Sequence, residues 1–236
     1  MFVVDQVHRT FNKIPPAVFL TISDTHWYWP HQIPEEDQIR WISETFADRE
    51  GTAVDIGAHC GTWTTVMAKH FQHVYAFEPN RQVFRNLSAN LALKNLTNVT
   101  EHMVGIGEKE EQLIYKFRSP DGGGNGFADL GKRDECEMDT CILPVKTLDS
   151  FNLQNVKLIK VDVEGFELQV LKGARETIRR CQPALVLEVW IDWREEEGVP
   201  AIRLREELYE YVENELQYSL RRVIGNDEMR LCTPKQ

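Results

Sequence analysis

The sequence predicts a doubly wound α/β domain, a mostly parallel sheet with helices on both faces. Two stretches predict it. Residues 52–71, TAVDIGAHCGTWTTVMAKHF, pass from an apolar run through two glycines into apolar side chains at three- and four-residue steps. Residues 156–173, VKLIKVDVEGFELQVLKG, repeat that strand, turn and helix form. The near-continuous apolar runs are of the kind that parallel sheets bury on both faces.

Composition bounds the rest. The 236 residues are 42% hydrophobic, enough for one large core. We expect an N-terminal arm and covering helix over residues 1–50. A single globular unit over 51–236 follows, with a glycine-rich insertion near 118–135. Lys and Arg total 27 against 37 Asp and Glu, a net charge of −10. That acidity disfavours a nucleic acid, whose binding depends on phosphate neutralisation, and an anionic membrane surface. No apolar run approaches the roughly 18 residues of a membrane span. The opening MFVVDQVHRTFNK lacks a signal-peptide pattern. Cysteines 60, 136, 141, 181 and 232 show no paired spacing. They predict free thiols and a cytoplasmic setting. Cys136 and Cys141 lack a second ligand pair for zinc, and no metal is assigned.

In chain order, Pro15-Pro16 interrupts regular structure, and the cluster Trp27-Tyr28-Trp29-Pro30-His31 reads as an arm packing its rings on the domain or as a lid over a ring. A helix from Pro34 places Ile39, Ile42 and Phe46 on one face. The first strand ends at Asp55-Ile56, and the helix after the turn carries Trp63, Val66, Met67, His70 and Phe71. A second strand, residues 73–77, leads to Glu78, then a helix over about 80–94 with Val83, Phe84, Leu87 and Leu91 inward. A third strand over 97–104 ends at Gly105-Ile106-Gly107. Val104 and Gly105 there either let backbone approach a ligand ring or form an ordinary turn. Strands at 113–117 and 142–145 flank Ser119-Pro120-Asp121-Gly122-Gly123-Gly124-Asn125-Gly126. Asn125 is either a ligand contact or part of a hairpin insertion. The strand over 156–163 carries Lys160, Asp162 and Glu164, which an extended chain points the same way. Lys160 reads as an ion-pair partner, and Glu164 and Glu167 also suit a helix N-terminus. The strand over 183–189 ends at Glu188, with Trp190 to Trp193 beside it. A helix from Pro200 and a hairpin around Gly225-Asn226-Asp227 complete the chain, and Glu195 to Glu197 read as a solvated loop.

Four strand ends thus carry carboxylates: Asp55, Glu78, Asp162 and Glu188. At neighbouring parallel strands they would form an acidic crevice on the ligand-binding edge. A dinucleotide turn needs a third glycine, and Asp55 would repel a pyrophosphate. A cationic or zwitterionic ligand such as S-adenosylmethionine fits better. Glu78 stands where an acid accepts hydrogen bonds from ribose hydroxyls.

DIGAHCG at 55–61, FEP at 77–79 and KVDVEGFE at 160–167 resemble the FkbM-type family of S-adenosylmethionine-dependent methyltransferases. The resemblance runs from about residue 52 to 190. It implies a Rossmann-like, seven-stranded sheet with an antiparallel last strand, and O-methylation of a hydroxyl on a sugar, glycan or related small metabolite. It implies that Asp55, Gly57, Ala58 and Gly61, with His59 and Cys60 in the same turn, cradle the methionine part. Glu78 would take the ribose diol, and Asp162 would stand beside the reactive methyl. His59 departs from the Asn usual at that position. Asp162, Glu164 and Glu188 are the candidate proton acceptors. These acids would also permit a divalent cation, though no spacing requires one. A methyltransferase acting on nucleic acid or protein, and a nicotinamide oxidoreductase, are the competing readings.

Overall fold

Apolar residues alternate between the two faces of the central strands, and that alternation decides where the helices lie. The computed structural model describes residues 36–118, 124–128, 139–189 and 200–235. In chain order these form α1 (Glu36–Thr45), β1 (Asp48–Ile56), α2 (Thr62–Met67), β2 (Phe71–Phe77), α3 (Arg81–Leu93), β3 (Val99–His102), β4 (Gly105–Ile106), β5 (Glu111–Phe117) and β6 (Asp139–Lys146). There follow β7 (Val156–Val161), α4 (Glu167–Gly173), α5 (Arg175–Cys181), β8 (Ala184–Glu188), α6 (Ala201–Glu210), β9 (Tyr218–Arg222) and β10 (Met229–Pro234). The N-terminal aromatic cluster, Cys136, residues 119–123, Trp190 to Trp193 and Glu195 to Glu197 lie outside the described residues.

The main sheet has seven strands in the order β3-β2-β1-β7-β8-β10-β9. The first five run parallel, and β10 is antiparallel to both β8 and β9. The expected Rossmann-like, mostly parallel sheet with its antiparallel last strand is therefore present. Val54, Ile56, Ile159, Val161, Leu185 and Leu187 pack on one face with Val170, Leu171 and Ile178 of α4 and α5 and Leu208 of α6. Ala53, Leu158, Ala184 and Val186 point the other way, onto Ile39 and Ile42 of α1 and Trp63 and Met67 of α2. Leu87 and Leu91 of α3 meet Ala58 and Ala76. Burying both faces explains why the central strands read as unbroken apolar runs.

Strand order reverses between β1 and β7, because the chain leaves β1 toward β2 and β3 and returns on the other side. The resulting crevice at the C-terminal strand ends is the ligand edge of such sheets.

Several boundaries differ from expectation. The helix after the first turn stops at Met67, and Phe71 opens β2 with its ring fully buried, so the three- and four-residue apolar spacing there continued past the helix end. The third strand is Val99–His102, shorter than 97–104. β7 ends at Val161, and Glu164 has φ 57, so it does not share an extended segment with Lys160 and Asp162. Residues 111–146 contribute β5 and β6, an antiparallel pair that joins β4 in a separate three-stranded sheet. Gly105 and Ile106, read as a strand-ending turn, supply β4.

Candidate active site

The turn after β1 is shaped by its glycines. Gly57 has φ 78, and a Cβ there would lie 1.7 Å from the Asp162 carbonyl oxygen. Only glycine allows β1 and β7 to end that close. The N–H groups of Gly57 and Ala58 both donate to the Phe77 carbonyl at 3.0 Å, tying the exit of β1 to that of β2. Gly61, with φ 94, then opens α2.

His59 takes a left-handed φ of 49, and its N–H donates to Glu78 Oε2 at 3.0 Å. Asn80 N–H donates to Glu78 Oε1 at 2.8 Å. Asn80 caps α3, its side chain accepting from Gln82 N–H at 3.0 Å. Burial raises the Glu78 pKa, offset in part by those two N–H donors and by the charge of His59. Burial would likewise raise the Cys60 thiol, yet hydrogen bonding and charge from His59, with help from Thr62, bring it below its ordinary value.

The second group of residues sits on one face of β1, β7 and β8. Asp55 and Lys160 are register partners in the parallel ladder, and Val186 is the partner of Lys160 on β8. With period two, Asp162 and Glu188 follow on that same face. The Lys160 ammonium donates to the Gly57 carbonyl at 2.8 Å and reaches Asp162 Oδ2 at 3.2 Å and Asp55 Oδ1 at 3.4 Å. Burial opposes that charge, but Asp162, Asp55 and Glu188 outweigh it and hold the ammonium pKa above its ordinary value. Asp55 is fully buried and also accepts from the Thr64 hydroxyl at 2.5 Å. The charge of Asp162, then burial, push the Glu188 carboxyl well above the usual range.

The third part comes from the insertion and the β7–α4 turn. Gly124 N–H donates to Glu164 Oε1 at 2.7 Å. Phe127 lies over Gly105 and packs edge-on to Tyr115 at 5.1 Å between ring centres. Burial raises the Tyr115 phenol. Glu167, at the start of α4, accepts from Val163 N–H at 3.2 Å and Gly165 N–H at 3.0 Å. Burial, against those bonds, lifts its pKa to about 7.

These parts enclose a cavity of about 290 Å³. Of the residues singled out in the sequence, Gly57, Ala58, His59, Cys60, Glu78, Val104, Gly105, Asn125, Asp162 and Glu164 line it. Asp55 and Gly61 do not: Asp55 lies behind Lys160, and Gly61 faces Leu87. Glu188 stands behind Asp162. The four acids do end four adjacent strands, but the crevice is less negative than four free carboxylates would make it. Lys160 stands among them, and Glu188, beside the charge of Asp162, retains its proton more readily than a separate carboxyl. Periodicity did not single out Lys160 as a lining residue, nor Trp63, Tyr115, Phe127 and Phe166. Phe127 and Phe166 each follow a glycine next to a predicted polar contact, the one local sign of their position. Among the described residues, no group of three or more His, Cys, Asp or Glu is placed to hold a metal ion. No described helix is long and apolar enough to cross a membrane.

Comparison with known proteins agrees with this architecture. Residues 55–220 match the methyltransferase FkbM domain. Methyltransferase 1 of Beauveria bassiana is 29% identical over 141 residues, covering 51% of this chain and 57% of that protein. The hexuronic acid methyltransferase AglP of Haloferax volcanii is 28% identical over 152 residues, covering 64% of this chain and 61% of that protein. The chain thus spans about three fifths of the length of these curated relatives. Among solved structures, a protein of Corynebacterium glutamicum superposes with a TM-score of 0.55 at 12% identity, covering 87% of this chain and 83% of that one. A Streptococcus mutans protein assigned as a methyltransferase, solved in complex with SAH, gives 0.51 at 11% identity, covering 86% of this chain and 98% of that one. At such identities the two structures speak for the fold. The family match covers most of the chain and both of its glycine turns, and the chain belongs to the FkbM family of methyltransferase domains.

Proposed function

We propose that the chain uses S-adenosylmethionine to methylate a hydroxyl on a sugar, glycan or related small metabolite. One observation carries the reading: a buried carboxylate, Glu78, faces the same cavity as Asp162, across a turn that only glycine can make. Each Glu78 oxygen takes one backbone N–H and has capacity to accept a second hydrogen bond, and the residue lines the cavity. A vicinal diol donating to those oxygens would replace the water that burial removes. The complex of the Streptococcus mutans protein with SAH and the sugar acid named for the Haloferax relative support the cofactor and the acceptor class.

In this reading the Gly57–Gly61 turn and Glu78 hold the cofactor, which supplies an electrophilic methyl on a sulfonium. The chain would bring the acceptor oxygen into line with that methyl, the sulfur leaving as a neutral thioether, since alignment accounts for most of what a protein can add to such a displacement. Asp162, partly open to the cavity, takes the hydroxyl proton as attack proceeds. Lys160 fixes the orientation of Asp162 and cancels charge that would otherwise oppose its burial. We read residues 51–236 as one catalytic unit, with α1 closing one side of the cavity through Ile39. A nucleic-acid acceptor is disfavoured by the net charge of −10.

Calorimetry with S-adenosylmethionine and with a nicotinamide nucleotide tests the cofactor, and methyl transfer to an oligosaccharide pool against RNA tests the acceptor. Glu78→Gln should weaken cofactor binding by about 10- to 100-fold, the loss of a charge-assisted hydrogen bond. Asp162→Ala should abolish transfer while cofactor still binds. Unchanged affinity in Glu78→Gln, or turnover in Asp162→Ala, would refute these roles.

A further inference from the structure

The segment 124–128 forms part of the cavity wall through Asn125, Gly126 and Phe127, and two side chains fasten it. From one side, Arg118 N–H donates to Asn125 Oδ1 at 2.6 Å, while its guanidinium donates to the carbonyls of Gly124 at 3.1 Å and Ala128 at 2.6 Å. From the other side comes Glu164, whose Oε1 accepts from Gly124 N–H at 2.7 Å. Gly126 exchanges backbone hydrogen bonds with Lys116 at 2.9 and 3.2 Å, which continues the small sheet into the wall. A Cβ at Gly126 would come within 3.4 Å of the Val163 carbonyl oxygen and 3.7 Å of the Glu164 Cβ, so wall and turn are in direct apposition. Phe127 then packs against Phe166 with ring centres 5.7 Å apart.

Three acids of this turn have separate partners. Asp162 engages Lys160 and Glu188. Glu167 pins the turn itself through the N–H groups of Val163 and Gly165. Glu164 reaches across to the wall. Its left-handed φ of 57, followed by Gly165 at φ 94, turns the chain out of the strand direction. For a residue with a Cβ that conformation is disfavoured, and a charge-assisted hydrogen bond is large enough to offset it.

We infer that Glu164 is a positioning residue: its carboxylate fastens the 124–128 wall over the cavity and does not take the acceptor's proton. The inference rests on the cavity being the cofactor and acceptor chamber, and it separates Glu164 from Asp162, which the sequence alone offers as equivalent candidates. What the wall needs from position 164 is an acceptor oxygen at the right reach. A proton acceptor would need a carboxylate.

Hydrogen exchange at the backbone amides of 124–128, in the full chain without ligand, tests the fastening. Glu164→Gln keeps an acceptor oxygen at the same reach, and protection should stay within about twofold of wild type. Glu164→Asp keeps the charge but is one methylene too short, and Glu164→Ala removes the acceptor. In both, exchange at Gly124 should rise about tenfold or more, with circular dichroism showing the fold retained. Protection unchanged in Asp and Ala, or lost as fully in Gln as in Ala, overturns the inference. Methyl transfer gives a second readout. Glu164→Gln should keep kcat and its pH profile, with the cost in Ala falling on KM. A loss of about a hundredfold in kcat for Gln would make Glu164 the proton acceptor and overturn the assignment. Wild-type protein without methyl transfer to any acceptor would sink the functional reading, and the exchange result would still decide this one.

Discussion

The Lys160 ammonium stands 3.2 Å from the Asp162 carboxylate, in the floor of a cavity that both residues line. The same ammonium lies 3.4 Å from Asp55, so one cation serves a carboxylate open to the cavity and one sealed beneath it. A buried pair of this kind is weak evidence for net stability, but removing one member is costly because it strands the other.

Lys160→Met should therefore destabilise the protein by about 3–5 kcal/mol, measured by denaturant unfolding. Asp55→Asn in the same chain should recover part of that loss, because it removes the charge left unpaired at full burial. If the double variant is no more stable than the single one, the ion pair is not the reason for the lysine.

The charge coupling between Asp162 and Glu188 sets the expected pH dependence of turnover. The Glu188 carboxyl is raised by the charge of Asp162 and then by burial, so the pair keeps a proton to higher pH than isolated carboxyls do. If Asp162 accepts the hydroxyl proton, the rate rises with pH as the coupled proton leaves. Glu188→Gln removes the like charge, and the rising limb should move down by about one pH unit or more. The pH–rate profiles of the two proteins check this, and a limb that stays in place would exclude the pair.

Glu167 links stability to pH in the range near neutrality. Its folded pKa is raised to about 7 from 4.5, chiefly by burial. Between those values the native state binds the proton that the unfolded chain has released, so stability falls as pH rises from about 4.5 to 7. Glu167→Gln keeps an oxygen for the Val163 and Gly165 N–H groups and does not ionise. Its melting temperature should depend less on pH, gaining about 1–3 kcal/mol on wild type between pH 5 and 8. Parallel thermal melts across that range decide it.

Gly57→Ala should be among the most damaging small substitutions in the chain. The added Cβ would meet the Asp162 carbonyl oxygen at 1.7 Å, and φ 78 disfavours any side chain. Prising β1 from β7 would disturb both Asp162 and the turn that Glu78 holds. We expect a loss of at least about 3 kcal/mol in stability, with cofactor affinity lost alongside it. A stable Gly57→Ala protein that binds cofactor normally would contradict this geometry.

The elements best legible in the sequence were those whose cause is local. Val83, Leu87 and Leu91 repeat at helical spacing, and α3 buries those three. Glycines at 57 and 61 marked a turn, and both have positive φ. The helical spacing overruns the helix after that turn, because Phe71 carries the apolar spacing onward while its backbone already pairs in β2. The insertion was legible as two strands, but not as the wall that Phe127 builds over Gly105.

By itself the sequence determined the doubly wound fold, the two glycine turns and the placing of acids at strand ends. Each of these follows from residues within a few positions of one another, through strand and helix periods and the freedom of glycine. Only the tertiary structure decided what those acids face. Asp55 meets Lys160 because the crossover brings β7 beside β1 in a register that sets the two residues abreast. Glu188 meets Asp162, and Glu164 meets Gly124, across shorter but still non-local separations in the chain. A carboxylate's role depends on its neighbours in space, and strand order and register choose those neighbours.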